Sequence, residues 1–92
     1  MKLSVTNNEQ ENRFEAEHEG KTAFIEYETQ DDIFNLTHTE VPKEIEGKGF
    51  GTQLVKGALD IIKEEGKSVK PSCPFIAHFI EKNTEYKSLV AQ

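Results

Sequence analysis

The run Glu46-Gly47-Lys48-Gly49-Phe50-Gly51 places three glycines at alternate positions in a chain of 92 residues. Glycines let a backbone approach a phosphate closely, and a helix that starts directly after them points its unpaired N–H groups at the anion. The dinucleotide fingerprint is excluded, because its third glycine would fall where Thr52 stands. A P-loop is excluded as well. Gly66-Lys67-Ser68 supplies its second half, but Ile61 occupies the place of its first glycine. Taken alone, the turn fits either a tight strand–helix connection or a seat for a phosphate or pyrophosphate.

A second group of residues carries acid–base and nucleophilic chemistry. Cys73 is the only thiol, and it precedes Pro74 where a helix is expected to begin. The positive end of that helix favours a thiolate. His38 and Glu40 stand two apart on an expected strand, so they share one face of it, and either can accept a proton. The plainer reading makes Cys73 a small buried hydrophobe and His38 a satisfied polar strand residue. His18 and His78 have no partners at metal-ligand spacing. A zinc site from His38, His78 and Cys73 has no motif behind it, so no metal is expected.

The elements around these residues read in two halves. Phe14, Ala16 and His18 alternate with Arg13, Glu15 and Glu17, which predicts a strand, and Glu19-Gly20-Lys21 a hairpin turn. Thr22 to Thr29 is the next strand, with Ala23, Ile25 and Tyr27 opposite Phe24, Glu26 and Glu28. Gln30-Asp31-Asp32 is a turn and Ile33 to Val41 a further strand, while Leu3–Thr6 reads as a short first one. After Pro42 the pattern changes. A helix from about Thr52 to Glu65 carries Leu54, Val55, Ala58, Leu59, Ile61 and Ile62 as one stripe, with Gly66 at its C-cap. Lys67 to Lys70 is a short strand. Pro74 opens a second helix with Phe75, Ile76, Phe79 and Ile80 on its apolar face, and Asn83 ends it. Glu85 to Ala91 reads as a last short helical segment. Strand, helix and strand from Ile33 to Lys70 form a βαβ unit whose strands should lie parallel. The fold class is α+β, or mixed α/β: an antiparallel meander with a parallel addition and a C-terminal helix, as one domain over residues 1–92.

Composition narrows the partners. The formal net charge is −6, which argues against wholesale nucleic-acid binding. Residues 1–40 hold 10 acidic and 3 basic side chains, whereas residues 41–92 hold 7 and 8. The second half therefore tolerates a polyanion better, and the first a cationic partner. The plainer reading of the acids is that they solvate exposed strand faces. No apolar run approaches the roughly 18 to 20 residues of a membrane span. The N-terminus, Met1-Lys2-Leu3-Ser4-Val5-Thr6, is polar at once, and a single cysteine forms no internal disulfide. A cytoplasmic location is expected.

Three stretches carry a resemblance to the small GCN5-related N-acetyltransferase-like proteins. They are Thr37-His38-Thr39-Glu40-Val41-Pro42; Gly47-Lys48-Gly49-Phe50-Gly51 with Leu54-Val55 and Ala58-Leu59 after it; and Pro71-Ser72-Cys73-Pro74-Phe75. The likeness implies a compact fold of that type, with acetyl-CoA threaded between two splayed parallel strands. Its pyrophosphate would rest on the N–H groups of Gly47, Lys48, Gly49, Phe50, Gly51 and Thr52. Its pantetheine would pair with the strand end near Thr39 and Val41. The activity implied is transfer of acetyl from acetyl-CoA to an amine on a small molecule or protein. His38 or Glu40 would act as base on the amine, or His38 on Cys73, which would lie near the thioester. Direct transfer ranks ahead of a covalent route through Cys73. In larger relatives a tyrosine after the last motif helix protonates the leaving thiolate. Tyr86 stands loosely at that place, with packing as its other reading. Two departures matter. Glu46 occupies a position that is usually Arg or Gln, and an acid beside a pyrophosphate weakens binding, an effect that Lys48 partly offsets. Full-sized members also have further helices and strands that form the acceptor groove, and the sequence shows none of these. That makes a non-catalytic acyl-CoA-binding or regulatory module the alternative; under either reading a monomer or weak dimer is expected.

Overall fold

Four strands follow one another as an antiparallel meander, and a fifth returns beside the last of them. The computed structural model describes residues 3–91; Met1 and Lys2 of the polar N-terminal stretch, and Gln92, lie outside them. The strands are β1 (Thr6–Asn8), β2 (Arg13–His18), β3 (Lys21–Gln30), β4 (Ile33–Glu40) and β5 (Ser68–Pro71), and they lie in the sheet in that order. Only β4 and β5 are parallel, paired from Ile33 opposite Ser68 to Leu36 opposite Pro71. Helix α1 (Phe50–Glu64) links these two, and α2 (Pro74–Lys82) follows β5.

Alternation decides which strand residues go inside. Phe14 and Ala16 on β2, Ala23, Ile25 and Tyr27 on β3, and Phe34 and Leu36 on β4 are buried. They form one cluster with Leu54, Val55, Ala58, Leu59 and Ile62 of α1 and with Ile76, Phe79 and Ile80 of α2. The rings of Phe14, Tyr27 and Phe34 meet at its centre, with centroids 4.9 to 5.7 Å apart. Between these inward residues, Glu17, Glu26 and Glu28 are exposed.

Several expectations change, beyond one-residue shifts at the ends of β3 and β5. The first strand is Thr6–Asn8 instead of Leu3–Thr6, because Leu3 and Val5 turn onto the core cluster. The Leu3 N–H donates to Gln53 Oε1 at 2.9 Å, and a Cβ on Gly57 would lie 2.4 Å from Val5 Cγ2. Helix α1 starts at Phe50, two residues early. Strand β4 ends at Glu40, leaving Val41 outside it. The last segment is a 3-10 turn, Thr84–Leu89, after which Val90 bridges Val69.

Tyr86, buried in that turn, donates its hydroxyl to Asp60 Oδ1 at 2.7 Å. Burial, and then the hydrogen bond to Asp60 and its charge, push the phenol up. Burial opposes ionisation of Asp60, yet the bonds from Tyr86 and Lys56 outweigh it and hold the carboxylate below its ordinary value. Tyr86→Phe should therefore cost about 1 kcal/mol at neutral pH. Because the folded value of Asp60 is the lower one, its contribution stands above the ordinary carboxylate range and fades as pH falls through the folded value. Urea titrations at neutral and acid pH should show the deficit shrinking in acid.

Candidate active site

Between β4 and α1 the chain passes through a 3-10 turn, Lys43–Ile45, anchored by buried Ile45. Gly47 and Gly49 then take φ of +81° and +80°. A Cβ on either would meet nothing within 4 Å, so what the turn requires of these two positions is the left-handed backbone, not space. Gly49 caps α1 without a side-chain acceptor. The Gln53 N–H reaches Gly49 O at 3.0 Å, which leaves the amides of Phe50, Gly51 and Thr52 as the free donors of the helix start. The third glycine differs. Gly51 has ordinary backbone geometry, but a Cβ there would stand 3.2 Å from Phe75 Cζ and 3.5 Å from Val41 Cγ2.

These residues enclose an open cleft of about 440 Å³, lined by Thr39 and Val41, by Glu46, Gly47, Gly49, Gly51 and Thr52, and by Phe75. The cleft exists because β4 outlasts its parallel partner. Pairing ends at Leu36 and Pro71, the Cys73 N–H donates to Leu36 O at 2.9 Å, and α2 then leaves the sheet. Thr39 and Val41 have no β5 residue beside them.

A bulge decides which side chains of β4 look into this cleft. Tyr27 pairs with Leu36 and Glu26 with His38, so Thr37 is an inserted residue, and its hydroxyl donates to Glu26 O at 3.2 Å. Regular alternation from Phe34 and Leu36 would turn His38 inward. The insertion turns Thr39 inward instead, where its Oγ1 lies 3.5 Å from Cys73 Sγ. His38 and Glu40 do share a face, with His38 Nε2 2.9 Å from Glu40 Oε1, but both are exposed and neither lines the cleft. The expected approach of His38 to Cys73 is thus replaced by two pairs, His38 with Glu40 and Thr39 with Cys73.

Cys73 is buried. Burial raises its pKa, but the Thr39 hydroxyl and the backbone N–H groups of Ile76, Phe75 and Thr39 outweigh that and hold the thiol below its ordinary value. The helix start thus acts in the direction that the sequence suggested. With the folded value below the unfolded one, thiolate forms in the native protein at a lower pH than in the unfolded chain. Native alkylation should accordingly reach half its limiting rate below the ordinary thiol pKa, and Thr39→Val should move that midpoint up. An unmoved midpoint would show that the hydroxyl does not stabilise the thiolate.

Of the residues expected to hold a cofactor, Thr39, Val41, Gly47, Gly49, Gly51 and Thr52 line the cleft. Lys48 is exposed outside it. The Phe50 side chain is buried and stacks on His18 with centroids 4.5 Å apart, so only its N–H faces the site. Among the described residues no group of three or more His, Cys, Asp or Glu is placed to hold a metal ion. Tyr86 lies with Asp60, away from the cleft lining. One residue that sequence reasoning assigned elsewhere is Phe75. Its place among the apolar residues of α2 suggests core, yet it is 46% exposed and walls the cleft. The signal was its position in the first helical turn, directly after Cys73-Pro74, where a side chain overhangs the helix end.

The sequence profile of the GCN5-related N-acetyl-transferase family matches residues 13–89. Protein NATD1 of Bos taurus is 39% identical over 51 residues, which are 55% of this chain and 45% of that protein. Protein NATD1 of Homo sapiens is 37% identical over 51 residues, with the same shares. The chain thus spans less than half the length of these curated relatives. The NMR solution structure of a GCN5-like protein from Staphylococcus aureus superimposes with a TM-score of 0.71 at 29% identity, over 97% of this chain and 88% of that one. A profile match across most of the chain and a shared fold agree with the split β4–β5 pair and its glycine turn, and the chain belongs to the GCN5-related N-acetyltransferase family.

Proposed function

We propose that the cleft binds acetyl-CoA and that the chain transfers its acetyl group to a primary amine. The observation that carries this reading is the cleft itself, lined by the helix-start residues Gly49, Gly51 and Thr52 and by Thr39, whose hydroxyl lies against the buried Cys73. The donor side suits a pyrophosphate, because the amides of Phe50, Gly51 and Thr52 are the free donors of the helix start and the glycines before them carry no side chains. Glu46, which also lines the cleft, opposes it. Glu46→Gln should tighten CoA binding about threefold at low ionic strength, as for an exposed charge pair, and salt should erase the difference.

Bound acetyl-CoA supplies an activated thioester carbonyl. The helix-start amides would hold the diphosphate, and the chain at Thr39 and Val41, at and just past the end of β4 and without a β5 neighbour, would orient the arm that carries the thioester. The amine attacks the thioester carbonyl, the C–S bond breaks and CoA leaves as the thiolate. His38 and Glu40, on the face of β4 opposite Thr39 and outside the cleft lining, take the amine proton through water. Direct transfer suits this geometry better than a covalent route, because Cys73 is buried against Thr39 and is not part of the cleft lining.

Calorimetric titration with acetyl-CoA tests the binding step, and absence of saturable heat at millimolar ligand would remove it. For the transfer, release of CoA thiol is followed with a panel of polyamines and lysine peptides, and His38→Ala should slow it with binding intact. A second reading, a non-catalytic acyl-CoA-binding module, is favoured by the absence of His38 and Glu40 from the cleft lining. Acetylated amine found by mass spectrometry above the uncatalysed background would exclude it.

A further inference from the structure

The third glycine of the turn and the exposed ring of α2 form one device. Phe75 is the one large apolar side chain among the described residues that is exposed. A lone exposed ring carries little information, but this one is seated in a cleft. Its Cζ lies 3.2 Å from the position of a Gly51 Cβ, and Val41 Cγ2 lies 3.5 Å from the same point. Gly51 does not need to be glycine for its own backbone, since its φ is not left-handed, and in the first turn of a helix alanine is the better residue. What the missing Cβ provides is room for the ring to lie down on the start of α1, facing Val41 across the helix end.

We propose that Phe75, seated on Gly51, is the specificity-determining contact for the apolar arm of CoA. It makes the site select CoA and its esters over adenine nucleotides that lack the arm. This rests on the acetyl-CoA reading above. The glycine turn presents amides that any diphosphate or bisphosphate can use, so it does not discriminate by itself. Phe75 and Val41 both lie against the Gly51 position and line the cleft together with Thr39. A flexible arm with a dimethyl-substituted carbon removes apolar surface from water there, whereas a bare nucleotide leaves the ring wet.

Titration calorimetry with CoA and with 3′-phosphoadenosine 5′-diphosphate, which has the nucleotide and its diphosphate and no arm, separates the two contributions. Phe75→Ala should weaken CoA roughly tenfold or more, the loss that follows from exposing part of a ring-sized contact, and leave the armless nucleotide unchanged. Phe75→Leu should recover most of the CoA affinity. Gly51→Ala should weaken CoA as well, without lowering the melting temperature, since the helix itself prefers alanine. Equal losses for both ligands in Phe75→Ala would mark a structural role and overturn the proposal, as would CoA affinity left at the wild-type level in Phe75→Ala or Gly51→Ala. Wild-type protein that takes neither ligand would remove the acetyl-CoA reading itself, an outcome separate from any change confined to the variants.

Discussion

Gly49→Val is expected to abolish measurable CoA binding, a loss of a hundredfold or more, while the chain stays folded. Valine is branched at Cβ and has no comfortable place at the φ of +80° that Gly49 adopts. Holding it there costs about 1 to 3 kcal/mol. The turn can escape that cost only by moving to negative φ. That movement swings the peptide plane between Gly49 and Phe50 and takes the first helix-start amides out of line with Gly51 and Thr52. Binding then loses several charge-assisted hydrogen bonds at once, each worth about 1.5 to 3 kcal/mol. The rest of α1 is held by Leu54, Val55, Ala58, Leu59 and Ile62 in the core, so the fold should survive. Gly49→Asn is the matched control, because asparagine tolerates the left-handed region, and it should keep most of the affinity. Calorimetry on the three proteins, beside a urea titration of each, checks the expectation. Wild-type affinity in Gly49→Val would mean that the phosphates are held elsewhere.

Phe14→Ala is expected to be the most destabilising single change, by about 3 to 5 kcal/mol. Phe14 has no exposed surface, and its ring stacks obliquely against Tyr27 at 5.1 Å and Phe34 at 5.7 Å. Truncation leaves a cavity that those two rings cannot fill, since Tyr27 is tied through its hydroxyl to Asn7 Oδ1 at 2.6 Å. It also forfeits the aromatic contacts themselves. A domain of this size has only about 5 to 15 kcal/mol to lose. Phe14→Leu, which keeps most of the volume, should cost far less. Chemical denaturation of both variants gives the comparison, and a loss near 1 kcal/mol in Phe14→Ala would show that the site collapses around the missing ring.

Most of the architecture was legible in the sequence because local pattern and tertiary demand agree. Ala23, Ile25 and Tyr27 alternate in the sequence and alternate in the sheet, and the stripe from Leu54 to Ile62 faces the core as its spacing requires. The glycine turn was legible because positive φ leaves glycine as the easiest residue. The site was less so, for a reason that lies in Thr37. A bulge has no composition of its own, and nothing in Asn35-Leu36-Thr37-His38 announces that one residue will be left unpaired. Yet that single insertion exchanges Thr39 for His38 on the inner side and decides which of them meets Cys73. Phe75 was misplaced for a related reason. Helical periodicity tells which residues share a face, but not that the first turn of α2 projects past the core into open space. Leu3 and Val5 look like a strand because they alternate, and they alternate because they pack on α1.

The strict succession of strands across the sheet has a kinetic consequence. Each of the first three pairings joins neighbours in the chain through a short turn, as between His18 and Lys21 or Gln30 and Ile33. Little loop entropy stands in the way of the meander, and only the β4–β5 pairing must wait for α1 to form and cross over. The split edge that shapes the cleft is therefore expected to be the last part of the sheet to assemble, and the first to open when amide hydrogens exchange with solvent.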